Sequence, residues 1–253
     1  MIEISEYYTT NKGKLKFLCD DKEINNRPAW IKVLESDQPI KFLKVNTESG
    51  RFYYTSFVEN YYLVEDATNE EIGIFYDEIS EIYNKKMQNH IIFGNYIYDN
   101  IKEKFSFSSS ILSICSGSGI EMKALLKKEY KNITLLDVSK DMINIAKNNS
   151  EFKDCKFIVS DFLKADFKRT KYDVLVCSMG IHYFNGDSLQ MFLRKCKSIL
   201  NKNGEIHILN INIPKNELNK YFKEVKIDNY KIVNDNNKET KVFYYIGKLK
   251  ESE

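Results

Sequence analysis

Apolar runs of strand length alternate with helical patterns along the chain from residue 106 onward. The helical patterns carry apolar residues at three- and four-residue spacing, as in the set Leu189, Phe192, Leu193, Cys196 and Leu200. The runs between them suit strands, and the run Val174–Cys177 is continuously apolar, as is typical of a strand buried on both faces of a parallel sheet. They begin at residues 111, 133, 155, 174 and 206. The alternation predicts an α/β domain over residues 106–253 with a doubly wound, mostly parallel sheet.

The N-terminal stretch, residues 1–66, has a different pattern of short β-prone runs separated by turn residues. These runs lie at 30–34, 40–45, 51–55 and 61–64. They predict a small antiparallel accessory domain of about four strands. Trp30 and many tyrosines and phenylalanines lie here, and they suit either a packed core or a surface for a substrate or for a second subunit of a homodimer.

Residues 67–105 are predicted to be a helical linker or cap. Ile72, Phe75, Ile79 and Tyr83 recur at three- and four-residue spacing, which predicts an amphipathic helix. An apolar stretch from residue 91 predicts a second helix beside the first strand of the α/β domain.

The scarcity of arginine says more about the binding partners of the protein than its net charge does. The formal net charge of +2, from 38 Lys and Arg against 36 Asp and Glu, points to no particular partner. Arginine, the side chain that best reads phosphates and base edges, occurs only at Arg27, Arg51, Arg169 and Arg194. This scarcity disfavours a nucleic-acid partner.

We expect neither a secretion signal nor a membrane span. The N-terminus lacks a basic segment followed by an apolar run, and no apolar stretch approaches the roughly 20 residues that cross a bilayer. The five cysteines include no Cys-x-x-Cys pair. We therefore expect reduced, buried thiols, a cytoplasmic protein and no metal site.

A glycine turn follows the first predicted strand of the α/β domain. Gly117 and Gly119 end the segment Ile-Leu-Ser-Ile-Cys-Ser-Gly-Ser-Gly, and a helical pattern begins at Met122. Such a turn brings backbone N–H groups close to a ligand. Asp137 lies twenty residues after Gly117 at the end of the next strand, where a carboxylate can bind ribose hydroxyls.

Four segments resemble the motifs of class I S-adenosylmethionine-dependent methyltransferases, in the order and spacing of that family. Residues 111–119 resemble the first motif, Leu-Asp-x-Gly-x-Gly-x-Gly, and residues 134–143 resemble the second. Residues 157–162 and 172–183 resemble the third motif and the fourth strand with its loop. The resemblance implies a seven-stranded sheet that a C-terminal antiparallel hairpin completes.

The resemblance also implies the contacts of the cofactor, S-adenosylmethionine. The turn with Ser116, Gly117 and Gly119 would lie along the methionyl part, and Asp137 would bind the ribose. Val138 or Met142 would pack against adenine, and Asp161 with the backbone of Phe162 would face the adenine edge. Cys177 would lie beneath the sulfonium. Tyr76 or Tyr83 would lie near the methionyl carboxylate.

Two residues depart from the family pattern. Ser113 stands where the family has Asp or Glu, so it can hydrogen-bond to the cofactor but brings no charge to its amino group. Cys115 stands where the family has glycine. Weaker cofactor binding, or a protein that binds the cofactor without turnover, is therefore one alternative.

His182 is the candidate catalytic base, because it follows the fourth strand on the side where open sheets bind ligands. A base is needed only where the acceptor must lose a proton, since a methyl group on a sulfonium is already activated. His90 and His207 are interpreted as structural residues. The loop after the fourth strand, Cys-Ser-Met-Gly, lacks the signatures of base-methylating enzymes. It favours a small-molecule acceptor over RNA or protein, and leaves the methylated atom open between oxygen, nitrogen and carbon.

Overall fold

A computed structural model describes residues 2–9, 15–17, 23–24, 40–46, 51–55, 60–63, 68–233 and 239–250. The chain divides into two compact units, residues 1–81 and 82–253. The predicted N-terminal run with Trp30 lies outside the described residues. Within the described part of the chain, no helix is long and apolar enough to cross a membrane.

The first unit contains a sheet in which every pair of neighbouring strands is antiparallel. Its strands are β1 (Ile2–Thr9), β2 (Leu15–Phe17), β3 (Glu23–Ile24), β4 (Ile40–Asn46), β5 (Arg51–Thr55) and β6 (Asn60–Leu63). Their spatial order is β3-β2-β1-β4-β5-β6. The sequence pattern marked β4, β5 and β6 but missed β1 to β3, which are short or interrupted by charged residues.

Two helices follow this sheet in the chain, α1 (Asn69–Lys86) and α2 (Ile91–Ile101). The predicted apolar stripe of α1 is buried at Ile72, Phe75 and Ile79. In the second unit, α2 packs closely on the segment after the glycine turn. A Cβ on Gly94 would lie 1.9 Å from the carbonyl oxygen of Glu121, so this approach of the two backbones requires glycine.

The second unit is built on a seven-stranded sheet of order β12-β13-β11-β10-β7-β8-β9. Its elements are β7 (Ile111–Ile114), α3 (Met122–Leu126), β8 (Ile133–Asp137), α4 (Lys140–Lys147), β9 (Lys156–Val159), β10 (Tyr172–Ser178), α5 (Gly186–Ile199), β11 (Leu200–Asn210), α6 (Lys215–Tyr221), β12 (Phe222–Val233) and β13 (Glu239–Leu249). Strands β7 to β11 are parallel, and β12 and β13 form the antiparallel hairpin.

Both faces of this sheet are covered by apolar side chains from helices. One core joins the sheet to α5 and α6 through residues such as Phe192 and Leu218. The other joins it to α2, α3 and α4 through residues such as Phe93, Leu125 and Ile143. Each fully buried side chain of this kind contributes about 1.5–3 kcal/mol, so the two cores stabilise the sheet from both faces. Helices on both faces of a mostly parallel sheet confirm the predicted doubly wound α/β fold class.

The start of β11 differs from the prediction. The sequence pattern placed Leu200 in the preceding helix and began the next strand at residue 206. In the structure α5 ends at Ile199, and β11 already begins at Leu200. Leu200 pairs with Tyr172 of β10 and is buried. The apolar residue therefore serves the sheet core rather than the helix face.

Candidate functional site

The candidate site lies where the order of the strands reverses. The chain runs outward from β7 through β8 to β9 and then returns to the other side of β7 as β10. Ligands of open α/β sheets bind in the crevice at the carboxyl ends of the strands on either side of such a switch point. The turn after β7 and the bend after β10 meet at this edge.

The turn after β7 has three residues in the left-handed conformation. Gly117 and Gly119 have φ angles of 51° and 76°, and Cys115 has 54°. An added Cβ on Gly119 would lie 2.9 Å from Leu135 Cδ1, whereas one on Gly117 would meet nothing within 4 Å. Gly119 is therefore needed for packing, and Gly117 presents its backbone to open space. Cys115 keeps a conformation that costs a residue with a side chain about 1–2 kcal/mol.

Asp137 fixes the conformation of this turn from the end of β8. Its Oδ2 accepts the Gly117 N–H at 2.7 Å, and its Oδ1 accepts the Ser139 N–H at 2.9 Å. Ser139 in turn caps α4, because its Oγ accepts the Met142 N–H at 3.1 Å. The structure thus brings the first two predicted motifs together through one carboxylate.

The other predicted cofactor residues of the second unit differ in their exposure. Val138 and Asp161 are half-buried, and Asp161 accepts the Leu163 N–H at 2.9 Å. Side chains in the interior belong to Ser113, Ser116, Met142, Phe162 and Cys177. The Phe162 ring packs 5.1 Å from that of Phe192, so its side chain belongs to the core and leaves its backbone for a ligand.

The two predicted tyrosines of α1 fall in different units. Tyr76 lies in the first unit and Tyr83 in the second. Next to Tyr83, Asn84 reaches the glycine turn, since the Ser118 hydroxyl donates to Asn84 Oδ1 at 2.8 Å. The end of α1 is therefore held against the turn by an asparagine that sequence reasoning missed.

A polar cluster between the turn and β10 was also missed. The Ser178 hydroxyl donates to Glu121 Oε1 at 3.2 Å, and His90 Nδ1 lies 3.7 Å from the same oxygen. The Glu121 and His90 side chains are only 13% and 12% exposed. The absence of an acid at position 113 was the available signal, because it invites a search for a carboxylate elsewhere near the turn.

His182 lies in a short 3-10 turn, Ile181–Tyr183, just after β10. Its Nδ1 is 3.1 Å from Asn210 Oδ1, at the end of β11. Burial lowers the pKa of His182, and the hydrogen bond with Asn210 only partly opposes this effect. The ring is therefore neutral near pH 7 and can accept a proton.

His207 and Met179 lie on either side of this region of the sheet, in β11 and just after β10. His207 is fully buried in β11, with Nδ1 2.6 Å from the Tyr244 hydroxyl. The chain bends after β10 at Met179, which has a φ angle of 52°. Among the described residues, no group of three or more His, Cys, Asp or Glu side chains could hold a metal ion.

Comparison with known proteins finds similarity to methyltransferases. Residues 111–204 match a family model described as a methyltransferase domain. Demethylmenaquinone methyltransferase from Chlamydia pneumoniae is 26% identical over 107 residues, which are 42% of this chain and 46% of that protein. The match thus spans just under half the length of this curated relative.

Solved structures share the fold at low sequence identity. A TehB-like SAM-dependent methyltransferase from Corynebacterium glutamicum has a TM-score of 0.51 and 17% identity, over 68% of this chain and 98% of that one. The cyclase SpnF has a TM-score of 0.56 and 11% identity, over 64% of this chain and 75% of that one. The matched family model and the shared fold together identify residues 111–204 as a methyltransferase domain.

Proposed function

We propose that this chain is an enzyme that transfers a methyl group from S-adenosylmethionine to an oxygen, nitrogen or carbon atom of a small-molecule acceptor. The observation that carries the proposal is the 2.7 Å hydrogen bond from the Gly117 N–H to Asp137. It joins the glycine turn to the predicted ribose carboxylate at the switch point, where ligands of open sheets bind.

The residues at this edge fit the cofactor. Gly117 faces open space, so a ligand can approach the backbone of the turn. A carboxylate can accept several hydrogen bonds at once, so Asp137 suits ribose hydroxyls as well as the N–H groups of the turn. The half-buried Val138 and Asp161 suit one face and the amino edge of adenine.

Glu121 supplies the carboxylate that strand β7 lacks at Ser113. Its side chain is 13% exposed and accepts a hydrogen bond from Ser178. Among the described residues, the only basic side chain within 4 Å of this carboxylate is that of His90. A poorly solvated carboxylate gains from a nearby cation, and the ammonium group of the methionyl part is such a cation. Glu121 is thus the proposed partner of that group.

The proposed mechanism assigns positioning to most of the site and proton transfer to one residue. The bound cofactor supplies a methyl group that is already activated on a sulfonium. The walls of the crevice align the acceptor and exclude water, and such alignment can provide most of the rate. His182 accepts a proton where the acceptor must lose one. With its Nδ1 donating to Asn210, the basic lone pair lies on Nε2.

The curated relative supports a small-molecule acceptor, because its name specifies demethylmenaquinone. The scarcity of arginine continues to disfavour RNA. Methylation of RNA or protein, with the N-terminal sheet as a recognition module, is the alternative. A homodimer and a cytoplasmic location stay predictions from the sequence.

Cofactor binding without turnover is a second candidate, and one observation favours it. Cys115 holds a left-handed conformation where the family has glycine, so the turn carries a side chain that other members lack. A search for turnover separates the two candidates.

The test is transfer of a labelled methyl group from S-adenosylmethionine to a panel of quinones, phenols and amines, with bulk RNA and protein as competing acceptors. Label in one small-molecule class, lost on removal of that acceptor, supports the proposal. Label only in RNA or protein would replace it with the alternative. Saturable cofactor binding with no labelled product from any acceptor would favour the second candidate.

A further inference from the structure

Two cysteines meet at the switch point. Cys177 lies near the end of β10, and in the parallel register it pairs with Ile114 of β7, the residue before Cys115. The Sγ atoms of Cys115 and Cys177 converge on one point, since they lie 3.1 Å and 3.2 Å from the position that a Cβ on Gly180 would take. Cys115 lies just beyond β7 with a left-handed φ of 54°, so its side chain is not bound to the alternation of the strand, and we take the two converging thiols to be within reach of a disulfide bond.

Gly180 makes room for both sulfur atoms. An added Cβ on Gly180 would lie 3.1 Å from Cys115 Sγ and 3.2 Å from Cys177 Sγ. It would also lie 2.6 Å from Cys115 Cβ, closer than real side chains approach. The sulfur atoms therefore share a space that any larger residue at position 180 would fill.

The two thiols differ in their access to solvent. Cys177 is fully buried, whereas Cys115 is half-buried. The hydrogen bond with Cys177, followed by burial, raises the pKa of Cys115 well above its usual range. Since the thiolate is the attacking species, the pair is slow to react near neutral pH, and Cys115 is the thiol that a reagent meets first.

We propose that Cys115 and Cys177 are a redox-active dithiol that closes to a disulfide across the switch point. A low-molecular-weight disulfide is the oxidant. The Cys115 thiolate attacks one of its sulfur atoms, forms a mixed disulfide and releases one thiol. The Cys177 thiolate then attacks Cys115 Sγ and releases the second thiol. The two protein thiols thereby lose two electrons and two protons, and the reagent gains them.

The disulfide acts on the turn that carries the proposed cofactor site, so this consequence rests on the proposed function. An S–S bond of about 2.05 Å is shorter than a contact between two thiols. Closure therefore draws Cys115 toward β10 and displaces Gly117, two residues further on. We expect the oxidised protein to bind S-adenosylmethionine about tenfold more weakly, the loss that corresponds to roughly 1.4 kcal/mol.

The test treats the reduced full-length protein with oxidised glutathione and follows intact mass and cross-linked peptides. We expect loss of two hydrogen atoms, a peptide joining Cys115 to Cys177, and reversal by dithiothreitol. The rate should rise with pH, because the thiolate fraction rises. Cys155→Ser, at a buried cysteine outside the pair, should leave the bridge intact.

Substitutions of Cys115 and Cys177 test whether the disulfide joins these two residues. Cys115→Gly restores the residue that a left-handed φ favours and should fold and form no bridge. Cys177→Ala should stop at the mixed disulfide on Cys115. A bridge from Cys177 to Cys196, the buried thiol of α5, or persistence of the glutathione adduct in the wild type would overturn the proposal.

Cofactor protection is a separate measurement. Saturating S-adenosylmethionine should slow closure about tenfold if it covers Cys115. Closure at an unchanged rate, in protein that binds the cofactor by calorimetry, would refute the link to the cofactor site but leave the bridge itself established. Absence of cofactor binding would instead contradict the proposed function.

Discussion

Replacement of Glu205 by glutamine tests how the sheet holds a buried charge at the edge opposite the proposed cofactor site. Glu205 lies in β11 and is fully buried. Its carboxylate is 3.1 Å from Lys104 Nζ, 3.4 Å from Lys248 Nζ and 3.2 Å from His207 Nε2. The Tyr244 hydroxyl contacts the other nitrogen of that histidine. Glutamine keeps the shape of the side chain but removes its charge.

The pKa of Glu205 sets the size of the effect. Burial acts to raise this pKa, but hydrogen bonds and charges from His207 and Lys104 lower it from 4.5 to about 2. At 1.36 kcal/mol per pKa unit, this corresponds to about 3 kcal/mol. Lys104 and Lys248 are 40% and 46% exposed, so water screens their share. We therefore expect Glu205→Gln to cost about 2 kcal/mol at pH 7.

The assay is urea unfolding of both proteins between pH 7 and pH 3. A carboxyl whose pKa is lowered on folding stabilises the protein above its unfolded pKa, and this contribution is lost as the pH falls toward the folded pKa. The difference in free energy of unfolding between wild type and Glu205→Gln should have its full size above about pH 5. It should fall to less than half of that size by pH 3. Burial lowers the pKa of His207 and Glu205 partly opposes this effect, so Glu205→Gln also makes His207 harder to protonate.

A control separates this buried network from ordinary surface charge. Glu239 forms a 2.7 Å ion pair with Lys231, and both side chains are more than half exposed. Glu239→Gln should change stability by less than about 1 kcal/mol. A difference for Glu205→Gln that is equally small, or that is the same at pH 7 and pH 3, would refute the reasoning.

Three further predictions concern the proposed site. Gly119→Ala should lower the free energy of unfolding more than Gly117→Ala does, because both strain a positive φ by about 1 kcal/mol but only the Gly119 methyl meets Leu135. Gly117→Ala should instead weaken S-adenosylmethionine binding. The reverse order of the two variants in thermal unfolding would contradict this prediction. Glu121→Gln should weaken binding of S-adenosylmethionine about tenfold in calorimetry but leave the affinity for methylthioadenosine, which lacks the ammonium group, unchanged. An equal loss of affinity for both ligands would rule out the assigned contact. His182→Gln should lower kcat for an acceptor that loses a proton and remove the acid limb of its pH profile, and an unchanged profile would exclude it as the base.

The sequence predicted the elements of the second unit well, because buried parallel strands are continuously apolar and their helices are periodic. It also located Gly117 and Asp137, since the spacing of these residues follows from the geometry of a strand, a turn and a second strand. The start of β11 at Leu200 could not be predicted from the same signals. A leucine satisfies a helix stripe and a buried strand equally well, and its pairing with Tyr172 decides between them.

The contacts across the switch point were hidden for a different reason. Glu121 meets Ser178, and Cys115 meets Cys177, only because β10 returns to lie beside β7. Such contacts join residues about sixty positions apart and depend on strand order, which apolar patterns do not encode. The left-handed φ of Cys115 was equally invisible, although its place in the first motif gave a hint.

Titration of the protein with S-adenosylmethionine by calorimetry tests the central claim most directly. Wild type should bind at about one site per chain, and Asp137→Asn should lose about tenfold or more in affinity, because an amide disturbs the bond with the Gly117 N–H. Asp166→Asn is the matched control, since Asp166 makes a similar 2.8 Å turn contact with the Lys168 N–H on an exposed loop, and it should bind like wild type. No binding by wild type, or equal affinity in Asp137→Asn, would contradict the account.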